Sequence, residues 1–166
     1  MNRLALALQE IRLARRHTLL VLDHTDPARW FETPSGVSNV AWQLGHLTVA
    51  AHTLALVRLR GERDADRRLF DLAFHYERYG KGTTPDPDPA GQPTPDQLRA
   101  AYDRVHARIQ DEIAAFPEDR LDEPPERPHP FFDTKYGALA WCARHEMMHA
   151  GQIALIRRLW GLPPFR

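Results

Sequence analysis

The sequence predicts an all-α protein, a four-helix bundle with a long crossover between the second and third helices. Three observations predict it. Four stretches repeat apolar residues at steps of three and four. Firm start and stop residues bracket those stretches. No stretch shows the alternation of a half-buried strand, and there is no internal repeat.

The first helix is expected over roughly 3 to 24, where Leu4, Ala7, Leu8, Ile11, Ala14, Thr18, Val21 and Leu22 share one face. Asp26-Pro27 ends it, because the residue before a proline avoids the α region. The second runs over roughly 38 to 60, with Ser38 as a plausible cap and Gly61 as the stop. Its inward stripe reads Trp42, His46, Val49 and Thr53. The third runs over roughly 95 to 115, where Thr94-Pro95-Asp96-Gln97 combines a cap with a first-turn proline. The fourth runs over roughly 134 to 160, from Thr134 to the stop at Gly161-Leu162-Pro163-Pro164. Its expected inward stripe is Ala138, Trp141, Cys142, His145, Met148, His149, Gln152, Ile153, Ile156 and Leu159.

About 33 residues separate the second helix from the third, including the run GTTPDPDPAGQPTP. That length suits a crossover better than a hairpin, and Leu69 to Tyr79 is expected to hold a short helix within it. The 166 residues fit a single domain over 1–166. The 22 basic and 22 acidic side chains balance, which gives no support for a nucleic-acid partner. Arg12, Arg15 and Arg16 form a locally basic group that reads as a solvated helix face. No uninterrupted apolar run reaches the ~18 residues a membrane span needs. The first 17 residues read as a mature helix rather than a signal peptide. With Cys142 as the single cysteine, the chain is expected in the cytoplasm without an internal disulfide.

The chemistry concentrates in His145-Glu146-Met147-Met148-His149. Two histidines four apart on a helix project to the same side and can share one metal ion. They can equally be core histidines bonded to polar neighbours. His46, on the expected inward stripe of the second helix, tips the reading toward metal if those two helices adjoin. Three imidazoles leave coordination positions open for water or substrate, as in catalytic sites. The same residues match the H-E-x-x-H pattern of zinc metalloproteases, which would make Glu146 the general base. That reading lacks a third ligand: the chain after His149 contains no Asp, Glu, His or Cys.

The run Trp42-Gln43-Leu44-Gly45-His46-Leu47, paired with His145-x-x-x-His149-x-Gly151-Gln152-Ile153, resembles the DinB-like (DinB/YfiT) superfamily. The helix order, the long second connection and the closing Gly-Leu-Pro-Pro are also similar. The resemblance implies a four-helix bundle that holds a divalent ion through a His triad, here His46, His145 and His149, and that forms a homodimer. It further implies a small-molecule substrate, with thiol transfer from a low-molecular-weight thiol as the first reaction and hydrolysis by metal-bound water as the second. A non-catalytic metal-binding, structural or stress-related helical protein is the alternative. Zinc or nickel suits such a donor set best, with iron, cobalt or manganese also admissible.

Other residues carry secondary expectations. Glu146 is a candidate base or partner of a ligand, or a solvent-facing residue. Gln152 is expected to bond between helices or to a bound water, and Gly151 to permit close helix approach. Trp42 and Trp141 read as packing residues that also wall a pocket. Cys142 reads as a small apolar residue rather than a ligand. His75 and His129 are candidates for the pocket mouth, whereas His17, His24, His52 and His106 read as surface or packing residues.

Overall fold

The computed structural model describes residues 2–164. The chain is all-helical, with five helices and no strand among the described residues. Four are long: α1 (Arg3–Asp23), α2 (Val40–Arg60), α4 (Pro95–Ala114) and α5 (Lys135–Leu159). The short α3 (Leu72–Tyr79) lies in the connection between α2 and α4. The loop before α5 contributes one isolated bridge, between His129 and Phe132.

Local chemistry places the ends. Asn2, Asn39, Asp71, Thr94 and Thr134 each accept a backbone N–H from the first turn of the helix that follows. Thr94 and Gln97 form a reciprocal capping box ahead of Pro95. The second helix is therefore capped by Asn39, one residue beyond the expected Ser38. Gly61 stops it with φ +82°, where a side chain would be strained.

Helix α2 lies at the centre. It packs against α3, α4 and α5, while α1 covers α5 and α4. Its length and hydropathy would allow a membrane span, yet 83% of its most apolar window is buried by the rest of the chain. Apolar residues therefore surround α2, and Trp42, His46 and Thr53 mark its less buried side rather than its core side. Residues His52–Val57 widen into a π turn. There His52 meets Asp66 at 3.2 Å and the Tyr76 hydroxyl at 3.0 Å. One turn on, Arg60 bridges Asp66 and Glu112, which ties the end of α2 to α4.

The buried stripe of α5 is rotated from the expected one. Lys135, Leu139, Ala143, Glu146 and Arg157 face inward alongside Ala138, Cys142, His149, Ile153 and Ile156. Met148 and Leu159 are exposed instead, at 51% and 41%. The periodicity missed the rotation because three polar chains on this helix are buried with partners. Lys135 reaches Glu123 and Glu126, Arg157 reaches Thr25, and Glu146 reaches Tyr102. Gly151 faces open space and so admits no neighbouring helix, contrary to expectation.

Candidate metal centre

The rotation of α5 puts His145 at the rim and His149 just inside it. Across from them, the less buried side of α2 presents His46. The three rings form one cluster, with centroids 5.3 Å (46 to 145), 4.7 Å (46 to 149) and 4.5 Å (145 to 149) apart. One ring nitrogen from each lies within 4.8 Å of the other two. Two nitrogens bonded to one ion at ~2.1 Å stand at most ~4.2 Å apart. The rings are thus a small side-chain movement from sharing an ion.

Two of the rings are already oriented. His46 Nδ1 donates to the Tyr79 carbonyl at 2.7 Å, which leaves Nε2 with its lone pair. His149 Nδ1 donates to Gln43 Oε1 at 2.5 Å, with the same result. The Gln43 amide nitrogen in turn donates to Ser38 Oγ and Gln152 Oε1, so the orienting network crosses from α2 to α5. Such partners fix the tautomer and raise ligand basicity. His145 is placed by ring contacts, including Trp141 at 6.5 Å. Trp42 stacks on His46 at 4.8 Å and is itself held by Thr83.

Gly45 explains how Tyr79 reaches His46. A Cβ at position 45 would meet the Tyr79 ring at 2.4–2.8 Å. Only glycine lets α3 close onto α2 and bring that carbonyl to the imidazole.

Electrostatics favour neutral rings. Burial pushes His149 down to about 3, helped by His145 and His46. Burial pushes His145 down to about 4, helped by His46 and His129 and opposed by Glu146. Burial also lowers His46, partly offset by the Tyr79 carbonyl. All three are free bases at neutral pH, the state a metal requires. Three neutral nitrogens without a carboxylate suit zinc, nickel, cobalt or iron. The donor set fits a divalent ion.

Glu146 lies elsewhere. It is 1% exposed, accepts from the Tyr102 hydroxyl and sits 3.3 Å from His106 Nε2. The expectation that it faces solvent is corrected: on the helix it points about 100° from His145, into the seam with α4. Its partners lie about 40 residues away in sequence, and only the fold reveals them. Cys142 is buried and close enough to feel the Glu146 charge; burial foremost raises its thiol well above the usual range. It stays protonated and outside the histidine cluster. His75 packs between Phe70 and Tyr79 in the crossover rather than beside the triad. His129 stacks on Phe132 and, with Phe131 and Trp141, forms an aromatic wall beside His145.

Gln43 and Tyr79 are the functional residues that sequence reasoning missed. Gln43 carried a signal, since an amide among apolar residues three before His46 needs a buried partner. The Tyr79 carbonyl carried none beyond Gly45.

Fold and site together define a class: a helical protein whose histidine cluster can hold a metal ion. Comparison with known families agrees. The family model of the DinB superfamily matches residues 10–153, most of the chain, and the protein belongs to that superfamily. No curated protein matches the chain.

Proposed function

We propose that this protein is a divalent-metal-dependent enzyme acting on a small molecule, with thiol transfer to an electrophile as its reaction. The observation that carries the reading is the cluster of three imidazoles, two of which have a partner on Nδ1 and so keep a lone pair on Nε2. Superfamily membership supports it. We read the architecture as a single four-helix bundle, α3 lying in the crossover, in a cytoplasmic homodimer.

A divalent ion in this cluster supplies a Lewis acid that makes a thiol or a water nucleophilic at neutral pH. The chain does the rest. His46, His145 and His149 offer three nitrogens and leave other positions open. Trp42 on one side and Trp141 with Phe131 on the other give the opening apolar aromatic walls, which suit an apolar portion of a substrate. The charge of Glu146 and the thiol of Cys142 are kept apart from the ligands. The nucleophile therefore comes from the substrate, which favours an added thiol over a protein cysteine.

The test is turnover of a model electrophile by metal-loaded protein with a panel of low-molecular-weight thiols. Thiol-dependent turnover that disappears in His46→Ala is expected. Hydrolysis without thiol would replace transfer by the second reaction.

One observation favours a non-catalytic reading: the triad joins α2 to α5, so an ion there would also staple the helices. That reading predicts a large loss of stability on chelation and no turnover with any thiol.

A further inference from the structure

Away from the triad, α1 and α4 enclose a groove of about 830 Å³. Its walls carry Arg12, Arg15, Arg16, Asp103, His106 and Gln110, three guanidiniums against one carboxylate. Arg15 pairs with Asp103 and lies over the Tyr102 ring at 4.7 Å, and Arg12 donates to Gln110 Oε1. Arg16 is exposed, and among the described residues no salt bridge offsets its charge. The basic group that reads as a solvated face in the sequence therefore borders a cavity.

The second observation is a set of unmet buried nitrogens. Among the described residues, Arg15 Nη1, Gln110 Nε2 and both ring nitrogens of His106 are buried and have no hydrogen-bond partner. His106 itself is 1% exposed. Buried polar atoms are nearly always satisfied, so four on residues lining one groove point to a missing polar ligand.

The partners also select its chemistry. His106 Nε2 lies 3.3 Å from Glu146 Oε2 but makes no hydrogen bond there, so neither ring nitrogen is committed as donor or acceptor. Nδ1 can therefore meet an O–H with its lone pair or an acceptor oxygen with an N–H. The arginines and the Gln110 amide seek ionised or acceptor oxygens, which guanidiniums bind as a fork. Hydrogenphosphate and phosphomonoester monoanions carry both kinds of oxygen on one group. Sulfate and an ionised carboxylate carry no O–H at neutral pH.

We propose that this groove binds the phosphate group of a small soluble molecule. Arg12, Arg15 and Arg16 hold the ionised oxygens, and His106 Nδ1 hydrogen-bonds a further phosphate oxygen. The volume is that of a metabolite-sized site.

Calorimetric titration of the full-length chain with sodium phosphate, at constant ionic strength in chloride, tests this. Four results are expected: saturable binding near one per chain; affinity at least about tenfold above sulfate; the same affinity in His46→Ala; and at least about tenfold weaker binding in the Arg12→Gln/Arg16→Gln double variant. Both of those arginines are exposed, so the double variant keeps the fold, which circular dichroism checks. The proposal is overturned by absence of saturable binding, by equal affinity for sulfate (an adventitious ion only), or by binding that survives in the double variant. Binding lost in His46→Ala would place the phosphate on the metal and overturn it too. Co-flotation with phosphatidic acid vesicles that free phosphate cannot displace would overturn the assignment to a soluble molecule.

Discussion

The two sides of one short stretch of α5 make opposite use of similar side chains. His145 and His149 turn toward α2, at the rim, and meet His46 with no carboxylate among them. Glu146 turns toward α4, inside the protein, and meets Tyr102 and His106. One side gathers lone pairs that no carboxylate joins among the described residues. The other buries a carboxylate bonded to a phenol, with an imidazole beside them. This division explains why a chain bearing H-E-x-x-H need not be a metalloprotease: the glutamate that would act as base is committed to a different seam.

The comparison can be broken most severely on the buried side. Glu146→Ala would strand the Tyr102 hydroxyl, remove the carboxylate beside His106 and leave a cavity. A loss of about 2–5 kcal/mol is expected in urea unfolding. Glu146→Gln should cost less, since its amide oxygen still accepts from Tyr102. A neutral result for the alanine variant would show that the network is not structural.

Gly45→Ala attacks the join between α3 and the metal side. Its Cβ would overlap the Tyr79 ring. A cost of about 1–3 kcal/mol is expected, with weakened metal affinity as the Tyr79 carbonyl leaves His46. Unchanged metal affinity would show that this carbonyl does not orient the ligand. Gln43→Leu should be milder. It leaves the helices packed but frees His149 Nδ1, and about 10–100-fold weaker metal binding is expected by competition with a chromophoric chelator.

A further effect concerns pH in metal-free protein. The folded-state values of His149 (about 3) and His145 (about 4) lie below that of an unfolded histidine, near 6.5. Between these values the unfolded chain binds more protons. Stability from these rings is therefore fully present above about 6.5 and is lost as pH falls toward 4 and then 3. Urea midpoints of apo protein should be level from pH 8 to 7 and decline from pH 6 to 4. The same acidification should release bound metal, since protons compete for the nitrogens. In His145→Ala and His149→Ala, the decline should be shallower.

Much of this was legible in the sequence where the signals are local. Thr94-Pro95 with Gln97, Thr134 and Gly61 mark helix ends through hydrogen bonds and backbone angles that a few adjacent residues settle. The histidine spacing on α5 is local in the same way. The register of α5 was not legible, because Lys135, Glu146 and Arg157 are buried only by virtue of partners distant in sequence. The setting of α2 was hidden for a different reason. A helix apolar on every side has no stripe to read, so the row containing Trp42 and His46 looked like the core side when it is the rim. The π turn at His52–Val57 leaves no mark in the pattern at all.

The most direct test of the division is elemental analysis of untagged protein after incubation with Zn²⁺ and dialysis. Wild type is compared with His46→Ala and Glu146→Gln. About one metal per chain in wild type and in Glu146→Gln, with little in His46→Ala, is the expected result. Metal absent from wild type, or lost in Glu146→Gln while His46→Ala retains it, would contradict the assignment of metal binding to the rim and structure to the core.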